Sequence, residues 1–177
     1  MTNYRRNRTA GATYFFTVNL WNRRQSLLTE NINALRVAFR EVRTRHPFRI
    51  DGIVVLPDHL HTIWTLFEGD ADYPKRWRLI KANFSRCLPP GERTSSSRDR
   101  KGERGIWQRR YWERTIRDDG DFAVHMDYIH YNPVKHGLVS RPSDWPYSSF
   151  HRLIRLGVYP HDWAGDVSKP ELSFGER

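Results

Sequence analysis

Residues 54–64 constrain the fold most, because two imidazoles interrupt an otherwise apolar and β-branched run. Such a run predicts a β-strand, in which successive side chains point to opposite faces of the sheet. His59 and His61 should therefore share one face, while Leu60 and Trp64 should point into a core on the other face. Neutral imidazole binds several divalent metals, so the pair predicts half of a metal site. The alternative is a half-buried strand that carries two histidines without a ligand.

The remaining apolar pattern predicts an α+β fold. Thr29 is the predicted N-cap of the first helix, and Asp72 caps the second, with a proline in its first turn. Asp118 or Asp119 is the predicted cap of the helix that begins near residue 121. The predicted elements are strand 13–20, helix 29–46, strand 48–56, strand 59–66, helix 72–88, a short strand or extended segment 106–112, helix 121–131 ended by Pro133, and helix 150–156. A strand, a crossover helix and a hairpin followed by another helix describe a split β-α-β arrangement, with one antiparallel sheet and helices on a face.

We predict a single folded domain over residues 1–156. Within it, residues 89–105 combine Pro, Gly, Ser and alternating charges, which predicts a mobile loop. Residues 157–177 form a polar C-terminal tail. The single cysteine, Cys87, excludes an internal disulfide framework and indicates a reducing compartment, and we expect it in the core. No apolar run reaches the ~18 residues of a membrane span, so we expect a cytoplasmic protein with no membrane partner.

The charge of the chain predicts a polyanionic partner. It contains 30 Lys and Arg against 20 Asp and Glu, which gives a formal net charge of +10. Nucleic acid is the commonest such partner, although charge alone fits a ribosome-associated or heparin-like ligand equally well. The candidate phosphate-binding residues are Arg5, Arg6, Arg23, Arg24, Arg78, Lys81, Arg109 and Arg110. The aromatic residues between or beside the last two, Trp107, Tyr111 and Trp112, are candidates for stacking on bases.

A second group of functional residues lies on the helix that begins near residue 121. Tyr128 and Asn132 are four residues apart, so both side chains project from one face of this helix. With His59 and His61, the Asn132 amide oxygen would complete a three-ligand site for Mg²⁺ or Mn²⁺. A metal that polarises a phosphate makes the phenol of Tyr128 a competent nucleophile. Attack on a DNA phosphodiester would leave a covalent phosphotyrosine and a free 3′-hydroxyl. Tyr131 is the next candidate nucleophile.

Five strings of residues together resemble a known family. They are 17–20 (TVNL), 56–61 (LPDHLH), 106–108 (IWQ), 128–139 (YIHYNPVKHGLV) and 144–146 (DWP). In this combination the chain strongly resembles the REP-associated tyrosine transposases, relatives of the single-tyrosine HUH transposases. The resemblance implies the HUH endonuclease fold, an RRM/ferredoxin-like antiparallel sheet with helices packed on it. It also implies that His59 and His61 are the metal-binding pair, that Tyr128 is the nucleophile, and that Asn132 replaces a glutamine that often completes the metal site.

The resemblance implies a substrate as well, namely single-stranded DNA folded into the hairpins of repetitive extragenic palindromes (REP elements). The predicted activity is that of a metal-dependent single-stranded DNA endonuclease and strand transferase. One alternative is a catalytically silent hairpin-binding protein on the same fold. The other is a metallophosphoesterase in which water attacks in place of Tyr128. We expect a monomer, and by resemblance we expect the segment after Leu156 to regulate access to the active site.

Overall fold

The computed structural model describes residues 7–91, 96–100 and 102–165. The strands are β1 Thr13–Asn19, β2 Arg49–Val55, β3 His59–Thr65 and β4 Trp112–Thr115. The helices are α1 Leu27–Glu30, α2 Ile32–Arg45, α3 Tyr73–Cys87, α4 Ser96–Asp99, α5 Asp119–Lys135 and α6 Phe150–Arg155, with a 3₁₀ turn at Pro142–Asp144. The strands form one antiparallel sheet in the order β2-β3-β1-β4, which confirms the predicted α+β fold.

The sheet is buried on both faces. On one face α2 and α3 cover a large aromatic core, in which the rings of Trp64 and Trp77 stack with centroids 4.3 Å apart. On the other face α5 packs through Met126 and Ile129 onto Phe15 and Ile63. Because both faces are covered, β3 lacks the hydrophobic and polar alternation of a half-exposed strand. The histidines of β3 are consequently buried under α5.

Residues 106–111 do not form a strand, one of the two alternatives predicted for residues 106–112, because β4 begins only at Trp112. Upstream of it, Trp107 makes an isolated bridge with Leu20, and its side chain is buried in the aromatic core. Burial against α3 therefore takes this segment off the sheet, although its residue types favour a strand.

Within the predicted loop 89–105, residues 96–99 form the single turn α4, and residues 92–95 and 101 lie outside the described ranges.

Pro133 does not end α5, contrary to the prediction. It removes one backbone donor, yet the bonds that follow it remain, with His136 N–H donating to Asn132 and Gly137 N–H donating to Val134. The helix ends at Lys135 with His136 as its C-cap, and the next residue, Gly137, has a φ of +67°, which suits glycine. This extra turn places two further basic side chains, those of Lys135 and His136, at the end of α5.

Two smaller predictions are also wrong. Thr29 lies inside the short helix α1 and donates its hydroxyl to the Ser26 carbonyl, so Asn31 holds the N-cap position of α2. Cys87 is exposed, and Leu88 takes the core position after Phe84, because an i, i+4 step returns to the same helix face. The predicted caps of the later helices hold, as Asp72 accepts from the Lys75 N–H and Asp118 from the Asp121 N–H.

None of the helices in the described ranges is long and apolar enough to cross a membrane.

Candidate active site

His59 and His61 lie side by side on the central strand β3, as predicted. Their side chains are almost fully buried, and their ring centroids are 5.0 Å apart. Both point to the face of the sheet that α5 covers, whereas Leu60 and Trp64 belong to the opposite core. A rigid, buried strand thus holds two imidazoles together in one orientation.

His59 Nδ1 has two polar neighbours, Asp58 and the Arg23 guanidinium 3.3 Å away, and the shorter contact indicates the tautomer. Its Nδ1 lies 2.8 Å from Oδ1 of Asp58, and Arg23 pairs with the other oxygen of that carboxylate. Burial raises the pKa of Asp58, but the hydrogen bonds from His59 and Arg23 outweigh it and lower the pKa to about 2. Burial lowers the pKa of His59 below its ordinary value, so the ring is neutral at neutral pH. Since an ionised carboxylate can only accept, Nδ1 carries the proton.

The other nitrogen of His59 is therefore a lone-pair acceptor. His59 Nε2 is buried and has no hydrogen-bond partner in the described part of the chain. Buried polar atoms usually have a hydrogen-bond partner or a bound ion, and a metal-binding histidine commonly donates its second nitrogen to a carboxylate. The arrangement of Asp58, His59 and Arg23 fits a divalent metal bound at Nε2.

His61 is oriented by its neighbour on β1. Thr17 lies opposite it in the strand register, and the Thr17 hydroxyl oxygen is 2.8 Å from His61 Nδ1. Oxygen atoms therefore contact Nδ1 of both histidines, and Nε2 is the atom that a metal would take in each ring. Across the described ranges, no group of three or more His, Cys, Asp or Glu residues is arranged to hold a metal. The third ligand that the sequence predicted is of another type, the amide of Asn132.

Helix α5 brings such an amide and a phenol to the histidine pair. The ring of Tyr128 lies 5.2 Å from the ring of His61, and the ring of His136 lies 5.1 Å from that of His59. Asn132 is midway between Tyr128 and His136 on the same helix face and is fully buried. The row 128, 132, 136 therefore runs along the histidine pair. Helix α5 thus carries Tyr128 and Asn132 to the histidine pair, as the sequence predicted.

Two residues at the end of α5 were not anticipated. Lys135 Nζ lies 3.4 Å from the Tyr128 hydroxyl and 4.9 Å from the centroid of its ring. His136 contacts His59, as described above. Both follow Tyr128 at helical steps of seven and eight residues, a spacing that points to this face only when the helix passes Pro133. Because Pro133 was predicted to end the helix, neither residue was predicted to lie on this face.

The predicted phosphate-binding residues occupy different surroundings. Arg23 is partly buried and donates to Asn19 as well as pairing with Asp58. Arg109 pairs with Glu103, while Arg24, Arg78 and Arg110 are exposed. Lys81 donates to the Gln108 carbonyl, and Arg5 and Arg6 lie outside the described residues. Contact of these residues with DNA stays a prediction. Of the aromatic candidates, Trp107 is buried in the core, and Trp112 packs edge-on against Phe15.

Replacing Asp58 by alanine is expected to lower metal affinity by roughly 10- to 100-fold, the usual effect of losing a carboxylate that orients a ligating histidine. The substitution removes the acceptor that keeps the proton on Nδ1 of His59. Isothermal titration with Mn²⁺ would measure the change. Asp144→Ala is the matched control, because Asp144 pairs with Arg141 on the exposed surface. Equal affinity in both variants would contradict the proposed role of Asp58.

Comparison with known proteins gives concordant matches. The family model described as "Transposase IS200 like" matches residues 10–132. The chain is 49% identical over 177 residues to the REP-associated tyrosine transposase of Escherichia coli strain K12, covering 100% of this chain and 98% of that one. A Haemophilus influenzae relative is 48% identical over 167 residues, covering 94% of this chain and 95% of the relative.

A solved structure matches over the same extent. It is a REP-associated tyrosine transposase bound to a REP hairpin, 49% identical in sequence, with a TM-score of 0.86. The match covers 100% of this chain and 98% of that one. The sheet and helices described above are therefore similar to those of a protein that holds a DNA hairpin.

Proposed function

We propose a reaction for this chain on the premise that it belongs to the IS200-like transposases and, within them, to the REP-associated tyrosine transposases. It is a transposase-type DNA endonuclease with a tyrosine nucleophile. In the proposed reaction it cuts and rejoins single-stranded DNA at hairpins, through a phosphotyrosine at Tyr128. The observation that carries this proposal is the contact of the Tyr128 ring with His61, beside the buried acceptor Nε2 of His59.

The proposed step is a transesterification at one phosphodiester. The Tyr128 hydroxyl oxygen attacks phosphorus, a new O–P bond forms, and the bond from phosphorus to the 3′-oxygen breaks. The phenol loses its proton, and the departing 3′-oxygen gains one to become a hydroxyl. Because one phosphate ester replaces another, a 3′-hydroxyl of another strand can reverse the step and restore the DNA backbone.

Mg²⁺ or Mn²⁺, held by His59, His61 and Asn132, would supply positive charge that polarises the attacked phosphate. Burial keeps the His59 imidazole neutral, and Asp58 and Thr17 orient the two rings for this role. The Lys135 ammonium lies within 3.4 Å of the Tyr128 hydroxyl, where it stabilises negative charge at the phenol oxygen and the phosphate. The packing of Tyr128 against Phe15 restricts its ring to one side of the sheet.

The proposed substrate follows from the relative and from charge. A protein that is 49% identical over the full chain binds a REP hairpin, and this chain has a net charge of +10. A hairpin offers both a paired stem and an unpaired strand at its foot. We propose that the unpaired strand reaches Tyr128, because a phosphodiester must enter a site that lies between a helix and a sheet.

Chelation of divalent ions is expected to abolish covalent product formation. A labelled REP-type hairpin with a single-stranded flank, incubated with the protein and Mn²⁺ or Mg²⁺, should give a slowly migrating protein–DNA band on a denaturing gel. EDTA should remove this band, and proteinase K should convert it to a short labelled product.

The same incubation, analysed on denaturing and native gels, separates the two alternatives. A silent hairpin-binding protein gives a shifted band only on a native gel and no cleavage with either ion. A metallophosphoesterase gives cleaved DNA without attached protein. Either pattern would refute the phosphotyrosine reaction.

A further inference from the structure

A groove lies along the outer edge of the sheet, between α2 and residues 146–152, and is called the α2 groove here. Its volume is about 440 Å³. Its apolar floor belongs to or packs against the aromatic core of α2 and α3, on the face of the sheet opposite Tyr128. The floor residues are Ile32, Leu35, Phe39, Ile50, Ile53 and Val55. The α2 groove is therefore separate from the candidate active site.

Four arginines and no carboxylate surround this floor. Arg36, Arg40 and Arg43 are exposed and follow one another at steps of four and three residues, so they share one face of α2. Arg152, also exposed, belongs to the opposite wall. Within the described ranges, the guanidinium hydrogen bonds of these arginines go to the Asn33 side chain and to backbone carbonyls. The α2 groove therefore presents four positive charges that no carboxylate of its lining neutralises.

The carboxylates of α2 and β2 are engaged elsewhere. Glu41 accepts from the Asn83 side chain on α3, and Asp51 pairs with Arg49. Like charges at neighbouring positions on a helix face repel each other, so the three arginines of α2 lower the stability of this helix. A ligand that brings carboxylates to this face would offset the repulsion and form charge pairs in its place.

The backbone along this edge of the sheet is already hydrogen-bonded. Residues 147–149 pair with Ile53 and Val55 through backbone hydrogen bonds, and the Arg152 guanidinium donates to the Asp51 carbonyl at 2.6 Å. An open edge would accept a further strand, but this one is covered. A ligand of the α2 groove must therefore bind through its side chains, as an amphipathic helix does when its apolar face enters a groove.

The floor of the α2 groove favours a protein ligand over a nucleic acid. Five of its six floor residues are aliphatic, whereas unpaired bases stack on aromatic side chains, and a phosphate backbone has no apolar group to place there. The three arginines of α2 span seven residues, about 10 Å along the helix axis. Asp or Glu side chains that repeat at the same helical steps on a neighbouring helix would lie opposite them.

We propose that the α2 groove binds an acidic, amphipathic helix of a partner protein. Aliphatic side chains of that helix fill the floor, and its carboxylates pair with Arg36, Arg40, Arg43 and Arg152. This inference goes beyond the proposed function, because it gives the chain a protein-binding surface that takes no part in cutting or joining DNA. It holds whether or not Tyr128 is the nucleophile.

The test is fluorescence anisotropy of the full chain with labelled helical peptides as probes. The first peptide carries Leu at steps i, i+3, i+4 and i+7, with Glu on either side of this stripe. The second has the same composition in scrambled order, and the third has Gln in place of each Leu. The first peptide should bind at least roughly 10-fold more tightly than the others, because it alone combines carboxylates with one apolar face.

Arg40→Glu should weaken binding of the first peptide by roughly 3- to 30-fold, because it removes one charge pair and adds a repulsion of similar size. A peptide with Lys in place of each Glu should bind Arg40→Glu more tightly than it binds the wild type. Arg45→Glu is the matched control and should bind the first peptide normally, because Arg45 is an exposed arginine of the same helix, outside the α2 groove.

The proposal is overturned if the first peptide binds no better than the scrambled one, or if Arg45→Glu weakens its binding as much as Arg40→Glu does. A blunt-ended DNA hairpin, titrated in EDTA, tests the nucleic-acid alternative. If the hairpin loses affinity in Arg40→Glu but not in Arg45→Glu, while both variants bind the first peptide equally, the groove belongs to DNA and the proposal also fails.

Discussion

Tyr128→Phe is expected to abolish the covalent protein–DNA band, lowering its rate of formation by roughly 10³-fold or more, as for other enzymes that lose their nucleophile. The substitution removes only the hydroxyl oxygen that would bond to phosphorus. The ring that packs on Phe15 and His61 remains, so the fold should survive with a stability change within about 1 kcal/mol. Single-turnover assays on a denaturing gel measure the rate, and thermal unfolding checks the fold.

Tyr131→Phe is the control for this experiment, because it makes the same change three residues further along α5. Within the described ranges, no ring contact joins Tyr131 to His59 or His61, whereas Tyr128 lies beside His61. Tyr131→Phe should therefore keep the covalent band. If the band persisted in Tyr128→Phe and vanished in Tyr131→Phe, the nucleophile would be Tyr131.

His61→Gln is expected to lower both metal affinity and covalent product, the latter by roughly 10³-fold, since a Lewis acid contributes several kcal/mol to such a step. Gln approximates the size of the buried imidazole but lacks its ring nitrogen, so the fold should change less than with alanine. Mn²⁺ binding, followed by electron paramagnetic resonance, gives a readout that does not depend on activity.

His161→Gln is the matched control, because His161 is exposed in the segment after α6. It should bind Mn²⁺ and form covalent product as the wild type does. Normal Mn²⁺ binding by His61→Gln, with product formation unchanged, would remove His61 from the metal site and with it the three-ligand arrangement proposed here.

Local periodicity explains which features were predictable from the sequence. Alternation along a strand places His59 and His61 on one face, and an i, i+4 step places Tyr128 beside Asn132. The caps Asp72 and Asp118 were equally predictable from the sequence. Each side chain accepts from the N–H three residues later, which is a contact within one helical turn. The five strings of residues indicated the family, which the comparisons with known proteins confirm.

Only the tertiary structure decided which side chains of distant segments contact one another. Burial of Met126 and Ile129 against the sheet lays α5 along β3, so that Tyr128 contacts His61 and His136 contacts His59. The same packing holds the helix together through Pro133, which local preference alone would treat as its end. On the opposite face of the sheet, packing in the aromatic core places Ile106 and Trp107 against α3. Periodicity acts over a few residues, whereas these contacts join distant segments whose apolar surfaces leave water together.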